Sequence, residues 1–369
     1  MASRLVKIGG FSNVSPVYIG GDAPIVVQTM WKDRLSPADL EENSLFRRIE
    51  TLKAMGCGLL RFAVPDIAAA EVIGALAGMI STPIVADIHF DYKIALRCLD
   101  FPIAKLRVNP GNIGSEDKVT TILEKAGAKG IPIRVGVNAG SLPLDLRSRV
   151  EKGFSAAEAL VLAAERELAV FKEVGFNNVL VSMKASGIAD TVIANRTLAS
   201  RTDFPLHLGV TEAGPLAAGV AAASAALCAL LKEGIGDTIR VSLSDTEESE
   251  VIAGMEIIRA AYGIASLESP RERLKPRGVR IISCPRCGRH AFDSVGFSGR
   301  WMEKLYAMDR DITIAIMGCE VNGPVEAKNA DLGVTGAGDK VLIFKYGKVI
   351  RTINSGEADL AFEEELNKL

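Results

Sequence analysis

Three cysteines in one late window carry the most pointed chemistry in this chain. Cys284 and Cys287 form the pair Cys284-Pro285-Arg286-Cys287, and Cys319 lies in Gly318-Cys319-Glu320-Val321-Asn322-Gly323-Pro324-Val325-Glu326. A C-x-x-C pair lets two thiolates grip one metal centre from a single turn. Cys319, between an apolar run and a tight Asn-Gly-Pro turn, is placed to bring a third from elsewhere in the fold. Three thiolates leave a fourth position open. Zinc would fill it with His290, giving Cys3His. An iron–sulfur cluster would leave its fourth iron to water, substrate or a replaceable carboxylate such as Glu326. The second C-x-x-C of a zinc ribbon is missing, which favours the cluster. Cys57, Cys98 and Cys228 stand alone in apolar surroundings and read as small core residues.

The second reactive set is cationic. Arg61, Arg107, Arg134, Lys184 and Arg240 fall in or at the ends of strand-like runs, in the company of Asp87, His89, Asn138, Glu212 and Ser242. Like charges gathered at one rim repel unless an anion neutralises them, so the ligand should carry several negative charges, most simply as phosphate or diphosphate. Arg meets phosphate bidentately and Lys as a point charge. Glu212 is suited to accept or donate a proton or to fix a substrate hydroxyl; its plainer alternative is a salt-bridge partner for the cations. Asp87 and His89 are suited to hydrogen-bond a polar substrate.

The elements that must position these groups alternate. Eight short apolar runs, at 24–30, 57–63, 83–89, 103–109, 131–138, 178–184, 205–211 and 237–243, are bounded by turn residues. Between them lie segments with apolar residues three and four apart, for example 40–54, 156–174 and 216–232. Strand–helix alternation implies parallel strands with crossover helices, and eight units imply a closed TIM (β/α)8 barrel whose chemistry collects at the strands' C-terminal ends. An open doubly wound sheet is the alternative, but no G-x-G-x-x-G follows the first strand. Residues 265–280 are charged, include Pro270 and Pro276, and read as a linker between a barrel domain at 1–264 and a smaller α+β domain at 281–369. In the latter, 279–283 and 312–317 are strand-like, 341–345 and 349–353 read as a hairpin, and 358–366 as a closing amphipathic helix.

Composition sets the outer limits. The chain has 369 residues, 48% hydrophobic and 24% charged, which argues against global disorder. A net charge of -2 supplies no global basic field for nucleic acid or an anionic membrane. The most apolar segment, 219–231, is far shorter than the ~20 residues of a membrane span and reads as a buried helix. No apolar leader is visible after the first residues, and six cysteines are too few for a disulfide scaffold, so a reducing cytoplasm is expected.

Taken together, CPRCGRHAFD, GCEVNGP followed by Glu326, LGVTG, VADIHFDY, LRVNPGNIG and VNAGSL resemble the 4-hydroxy-3-methylbut-2-enyl diphosphate synthase family of the non-mevalonate isoprenoid pathway, in its bacterial two-domain form. The motifs extend over nearly the whole chain. The resemblance implies a pterin-synthase-like TIM barrel followed by a [4Fe-4S] domain, with Cys284, Cys287, Cys319 and Glu326 as cluster ligands. It implies that Arg61, Arg107, Arg134, Asn138, Lys184, Arg240 and Ser242 hold the substrate diphosphate and that Glu212 is the catalytic acidic residue. The implied reaction is the reductive ring opening and dehydration of 2-C-methyl-D-erythritol 2,4-cyclodiphosphate to 4-hydroxy-3-methylbut-2-enyl diphosphate, with electrons from reduced flavodoxin or ferredoxin. The implied assembly is a homodimer in which the cluster domain of one subunit closes over the barrel of the other. Two stretches depart from the family's pattern. VQSMTNT-like sequence is replaced by VQTMWKDRL, which brings in Trp31 and Lys32, and NGPGE becomes NGPVE. A β-branched Val325 is poorly suited to positive φ, so that turn is expected either to have ordinary φ or to be rearranged.

Overall fold

The computed structural model describes residues 3–211, 213–267, 271–320 and 323–369. The chain divides into two compact units, Met1–Pro276 and Arg277–Leu369. In the first, β1 (Val6–Ile8) and β2 (Val17–Ile19) form an antiparallel pair. Eight parallel strands follow: β3 (Val26–Met30), β4 (Cys57–Ala63), β5 (Ile84–Ile88), β6 (Lys105–Val108), β7 (Ile133–Asn138), β8 (Val179–Lys184), β9 (His207–Leu208) and β10 (Thr238–Ile239). They lie side by side in the order β8-β7-β6-β5-β4-β3-β10-β9, and a parallel bridge from Val181 to Leu206 joins the two ends into the expected barrel.

The runs at 205–211 and 237–243 contribute only two ladder residues each. A Cβ on Gly209 would lie 2.7 Å from the Arg240 carbonyl oxygen and 2.8 Å from Lys184 Nζ. The two backbones therefore come together around a lysine side chain instead of extending the ladder.

Outside the barrel, the stretch 156–174 forms the helix Ala156–Glu173, started by Ser155, whose hydroxyl accepts from the Glu158 N–H at 3.3 Å. The Ala-rich stretch forms Leu216–Leu231, with Ala223, Ala226, Leu227 and Leu230 buried. No helix among the described residues is long and apolar enough to cross a membrane. Cys57, Cys98 and Cys228 are buried, and burial pushes the Cys57 and Cys98 thiols up to about 12.

The β1–β2 pair is not anticipated by the strand–helix alternation. Its Val6, Ile8 and Ile19, with Val14 of the turn, cluster with Leu59, Val85 and Leu180. Those three lie two positions before Arg61, Asp87 and Ser182, so they share the inward face one layer nearer the strands' N-terminal ends. The hairpin thus stoppers that end of the barrel with apolar side chains.

The second unit is a five-stranded sheet in the order β11 (Arg280–Ser283), β12 (Thr313–Ile316), β13 (Leu332–Ala337), β14 (Lys340–Lys345), β15 (Lys348–Asn354). The first three strands run parallel and the last two continue antiparallel, the final pair being the expected hairpin. Phe297 and Trp301 from the helix Ser294–Tyr306 and Phe362 from the helix Ala358–Leu366 pack against Ile314, Val334 and Ile343. The Trp301 and Phe362 rings meet edge to face at 4.9 Å, and Trp301 Nε1 donates to Asp359 Oδ1 at 2.7 Å.

Candidate active site

Alternate residues of a barrel strand face inward. On β4 and β5 that face carries Arg61 and Asp87; on β6, β7 and β8 it carries Lys105 and Arg107, Arg134, then Ser182 and Lys184. Strand pairing sets Asp87 level with Arg107, and Arg107 level with Arg134. Asp87 is a hub. Arg61 Nη2 donates to its Oδ2 at 2.5 Å, Arg107 Nη1 donates to its Oδ1 at 3.1 Å, and His89 Nε2 lies 3.1 Å from Oδ2. Burial raises the Asp87 carboxyl, but Arg61, His89 and Arg107 together outweigh it and hold it well below the usual carboxylate range. Asp87 and His89 also line a cavity of about 300 Å³ at the ends of β4 and β5, with Ala63, Pro65 and Ile94 as an apolar wall.

Arg240 forks onto Glu250 of the helix Glu247–Ala265, with Nη2 at 2.9 Å from Oε1 and Nε at 3.1 Å from Oε2. The Thr29 hydroxyl and the Leu243 N–H donate to the same carboxylate.

The other cations meet neutral partners among the described residues. Arg134 Nη1 donates to Ser182 Oγ at 3.2 Å, Lys105 Nζ to Gln28 Oε1 at 3.4 Å, and Lys184 Nζ lies 3.3 Å from His207 Nε2. Burial first, and the neighbouring cations second, push Lys105, Arg134 and Lys184 well below their ordinary ranges. His207 is pushed well below its range by burial and by Arg134. The Nε atoms of Arg61, Arg107 and Arg134 and Nε2 of Gln28 are buried with no hydrogen-bond partner among the described residues. Gly136 makes room for this charge: a Cβ there would lie 2.6 Å from Arg107 Nε. Among the described residues, six cations thus share the barrel interior with two carboxylates, Asp87 and Glu250.

The remaining sequence-derived candidates sit at the mouth. Asn138 ends β7, half-buried and level with Lys184, and Ser242 is half-buried two residues past Arg240. Glu212 lies outside the described residues. Lys105, Gln28, Ser182, His207 and Glu250 were not singled out in the sequence. Lys105 is two residues before Arg107, and that spacing alone places both on one face of a strand.

The rim turn after β6, Pro110–Ile113, is tied to the outer layer: Glu167 Oε1 accepts from the Gly111 N–H at 3.1 Å. Burial pushes the Glu167 carboxyl up to about 7, against the lowering effect of that bond. With the folded value above the unfolded one, stability is full below about pH 4.5 and is lost as pH rises through about 7. Glu167→Gln should therefore stabilise the barrel by about 1–2 kcal/mol at about pH 8, allowing for residual hydration. The gain should shrink toward about pH 5, and urea midpoints at the two pH values check it.

In the second unit, Cys284 directly follows β11 and Cys319 lies three residues past β12, the strand paired with β11. The Cys284 N–H donates to the Ile316 carbonyl at 2.9 Å, and the Ala291 N–H to the Gly318 carbonyl at 2.8 Å. A Cβ on Gly318, the residue before Cys319, would lie 3.6 Å from Cys284 Sγ. Cys287 is exposed on the intervening turn, and the backbone N–H, side chain and charge of Arg289 hold its thiol below the usual range. His290 is exposed, its Nδ1 2.8 Å from the Cys287 carbonyl oxygen. Among the described residues no three His, Cys, Asp or Glu side chains already close around one point. Thiols from two neighbouring strand ends and the turn between them are nonetheless the soft donor set that an iron–sulfur cluster takes. Glu326 ends the helical turn Gly323–Glu326 on the chain segment following Cys319. Val325 lies within that turn and is absent from the left-handed residues, so the family's glycine is replaced at a position of ordinary φ.

A closed barrel with a positively charged interior suits a polyanionic small molecule, and the second unit carries one thiol directly after β11, one on the turn that follows and one three residues past β12. The GcpE TIM-barrel domain matches residues 11–255 and the GcpE protein C-terminal domain matches residues 280–368. The chain belongs to the GcpE family. It is 46% identical over 384 residues to the 4-hydroxy-3-methylbut-2-en-1-yl diphosphate synthase (flavodoxin) of Treponema pallidum, with 100% of this chain and 92% of that protein covered. Proteins of the same name from Treponema denticola and Geobacter sulfurreducens are 45% and 41% identical, covering 99% and 97% of this chain and 98% and 95% of theirs.

Proposed function

We propose that this chain opens the ring of 2-C-methyl-D-erythritol 2,4-cyclodiphosphate and converts it to 4-hydroxy-3-methylbut-2-enyl diphosphate, taking up two electrons and two protons and releasing one water. The supporting observation is the surplus of buried positive charge inside the barrel of a chain 46% identical to a synthase of that product. Arg107, Arg134, Lys184 and Arg240 bind phosphate oxygens, and Arg61 joins them. Asp87 fixes the forks of Arg61 and Arg107, and Glu250 fixes that of Arg240, so the donors are oriented before substrate arrives. Burial first and the neighbouring cations second lower Lys105 and Lys184, and a bound anion offsets the second of these effects. His89, Asn138 and Ser242 offer neutral partners to the rest of the substrate. Glu212, in Val210-Thr211-Glu212-Ala213-Gly214, handles the proton at the ring oxygen.

Cys284, Cys287, Cys319 and Glu326 would hold a [4Fe-4S] cluster, which would supply low-potential single electrons that no side chain carries. Reduced flavodoxin is the donor in this reading, supported by the relatives' names, with ferredoxin as the alternative. A cytoplasmic location fits thiol ligands that need a reducing compartment. The homodimer belongs to the same proposal and rests on the motif resemblance.

The test is metal content and turnover of the full chain purified without air. About four irons and four sulfides per chain, with conversion of the cyclic diphosphate by reduced flavodoxin, are expected. One zinc and no sulfide would leave the anion site standing and remove the redox reaction.

A further inference from the structure

The loop after β3 carries Trp31 and Lys32, which depart from the family pattern, and the structure holds both firmly. Trp31 is buried, its ring stacked on Phe62 at 5.6 Å, with the Arg48 guanidinium 4.9 Å from its centroid. Arg48 in turn pairs with Glu247 and Glu248. This packing fixes the direction in which the next residue leaves the loop. The Lys32 backbone N–H donates to Glu247 Oε1 at 2.8 Å, and Lys32 Nζ donates to the Leu243 carbonyl at 3.0 Å. Nζ also lies 3.5 Å from Glu250 Oε1, the atom that accepts from Arg240 Nη2 at 2.9 Å. Lys32 and Arg240 therefore converge on one carboxylate oxygen.

We propose that Lys32 is a further anion-binding residue of the barrel, taking a phosphate oxygen of the ligand alongside Arg240. This rests on the reading of the barrel as a phosphate site. Two cations share the Glu250 carboxylate, and Asp245 also faces the Lys32 charge, so the ammonium stands among competing acceptors at the mouth and can exchange one of them for a phosphate oxygen. The Lys32 side chain is 31% exposed, whereas Lys105 and Lys184 are sealed inside. Its ammonium sits on a flexible stem that can turn from Leu243 to an incoming anion without breaking the Trp31 packing. It also stands on a βα loop at the C-terminal face, where barrel ligands bind.

The experiment is calorimetric titration of the full chain with inorganic diphosphate across a range of salt concentrations, comparing the unsubstituted protein, Lys32→Met, Lys32→Arg and Arg134→Met. Lys32→Met should bind about 5- to 10-fold more weakly, a charge-assisted contact being lost at a partly hydrated position, and its affinity should fall less steeply with salt. Lys32→Arg keeps the charge and should stay within about 2-fold. A residue that merely straps the first loop to the last would leave the salt dependence unchanged. If Lys32→Met binds diphosphate as the unsubstituted protein does while Arg134→Met does not, the proposal is overturned and the barrel reading stands. If the unsubstituted protein does not bind diphosphate, both fall.

Discussion

Serine at position 287 should give a folded protein that retains no iron–sulfur cluster and shows no turnover. Cys287 is exposed on the turn after β11 and supports no packing, so Cys287→Ser should change stability by no more than about 0.5 kcal/mol. Cys57→Ser is the matched control. Its thiol is buried and donates to the Leu59 carbonyl at 3.2 Å, a bond a hydroxyl can keep, so the more polar group should cost about 1 kcal/mol while iron content is unchanged. Iron, acid-labile sulfide, visible absorbance and melting temperature of both variants, prepared without air, separate a ligand from a core residue. A full cluster in Cys287→Ser would remove Cys287 from the ligand set.

Arg134→Met should act in opposite directions on binding and on stability. Arg134 is 1% exposed, touches Ser182, and stands among Arg61, Arg107 and Arg240. In the ligand-free chain its charge is desolvated and repelled. A methionine of similar volume should raise ligand-free stability by about 1–3 kcal/mol, seen as a higher melting temperature. The same change removes a buried phosphate donor, and affinity for the cyclic diphosphate should fall by about 100-fold or more. Unchanged affinity would take Arg134 out of the site. A large loss of stability would show that its charge is already neutralised within the protein.

Much of this arrangement is legible in the amino-acid order. β4 to β8 fall on the apolar runs because each is short, rich in Val, Ile or Leu and closed by turn residues. Their polar members, Arg61, Asp87, Arg107, Arg134 and Lys184, stand out against that background. Lys105 did not stand out because it opens its strand, where a lysine is ordinarily solvated; the two-residue step to Arg107 is what turns it inward. Glu250 was hidden in Glu247-Glu248-Ser249-Glu250, which reads as a solvated helix start. Three of the four residues are buried glutamates that take Arg48, Arg240 and backbone donors from other elements, contacts invisible to local pattern. β13 escaped because Gly333 and Gly336 lower strand propensity in LGVTGA, although the Phe344 ring and the Ala291 backbone fill the space that side chains there would need. The order of the strands, and hence the convergence of cations from β4, β6, β7 and β8, comes from long-range pairing.

The apolar stopper made by β1 and β2 makes the barrel a vessel with a single doorway. A doubly phosphorylated solute cannot cross the layer of Val6, Ile8, Ile19 and Leu59. Reactant must come in, and product go out, through the mouth where the strands end. In the proposed reaction the product would carry both phosphates out past the same cations that bind the reactant, so the affinity that fills the vessel would also slow its emptying. Under that proposal, accumulated product should compete for the same berth and inhibit competitively, and a stronger grip on phosphate should lengthen each stay.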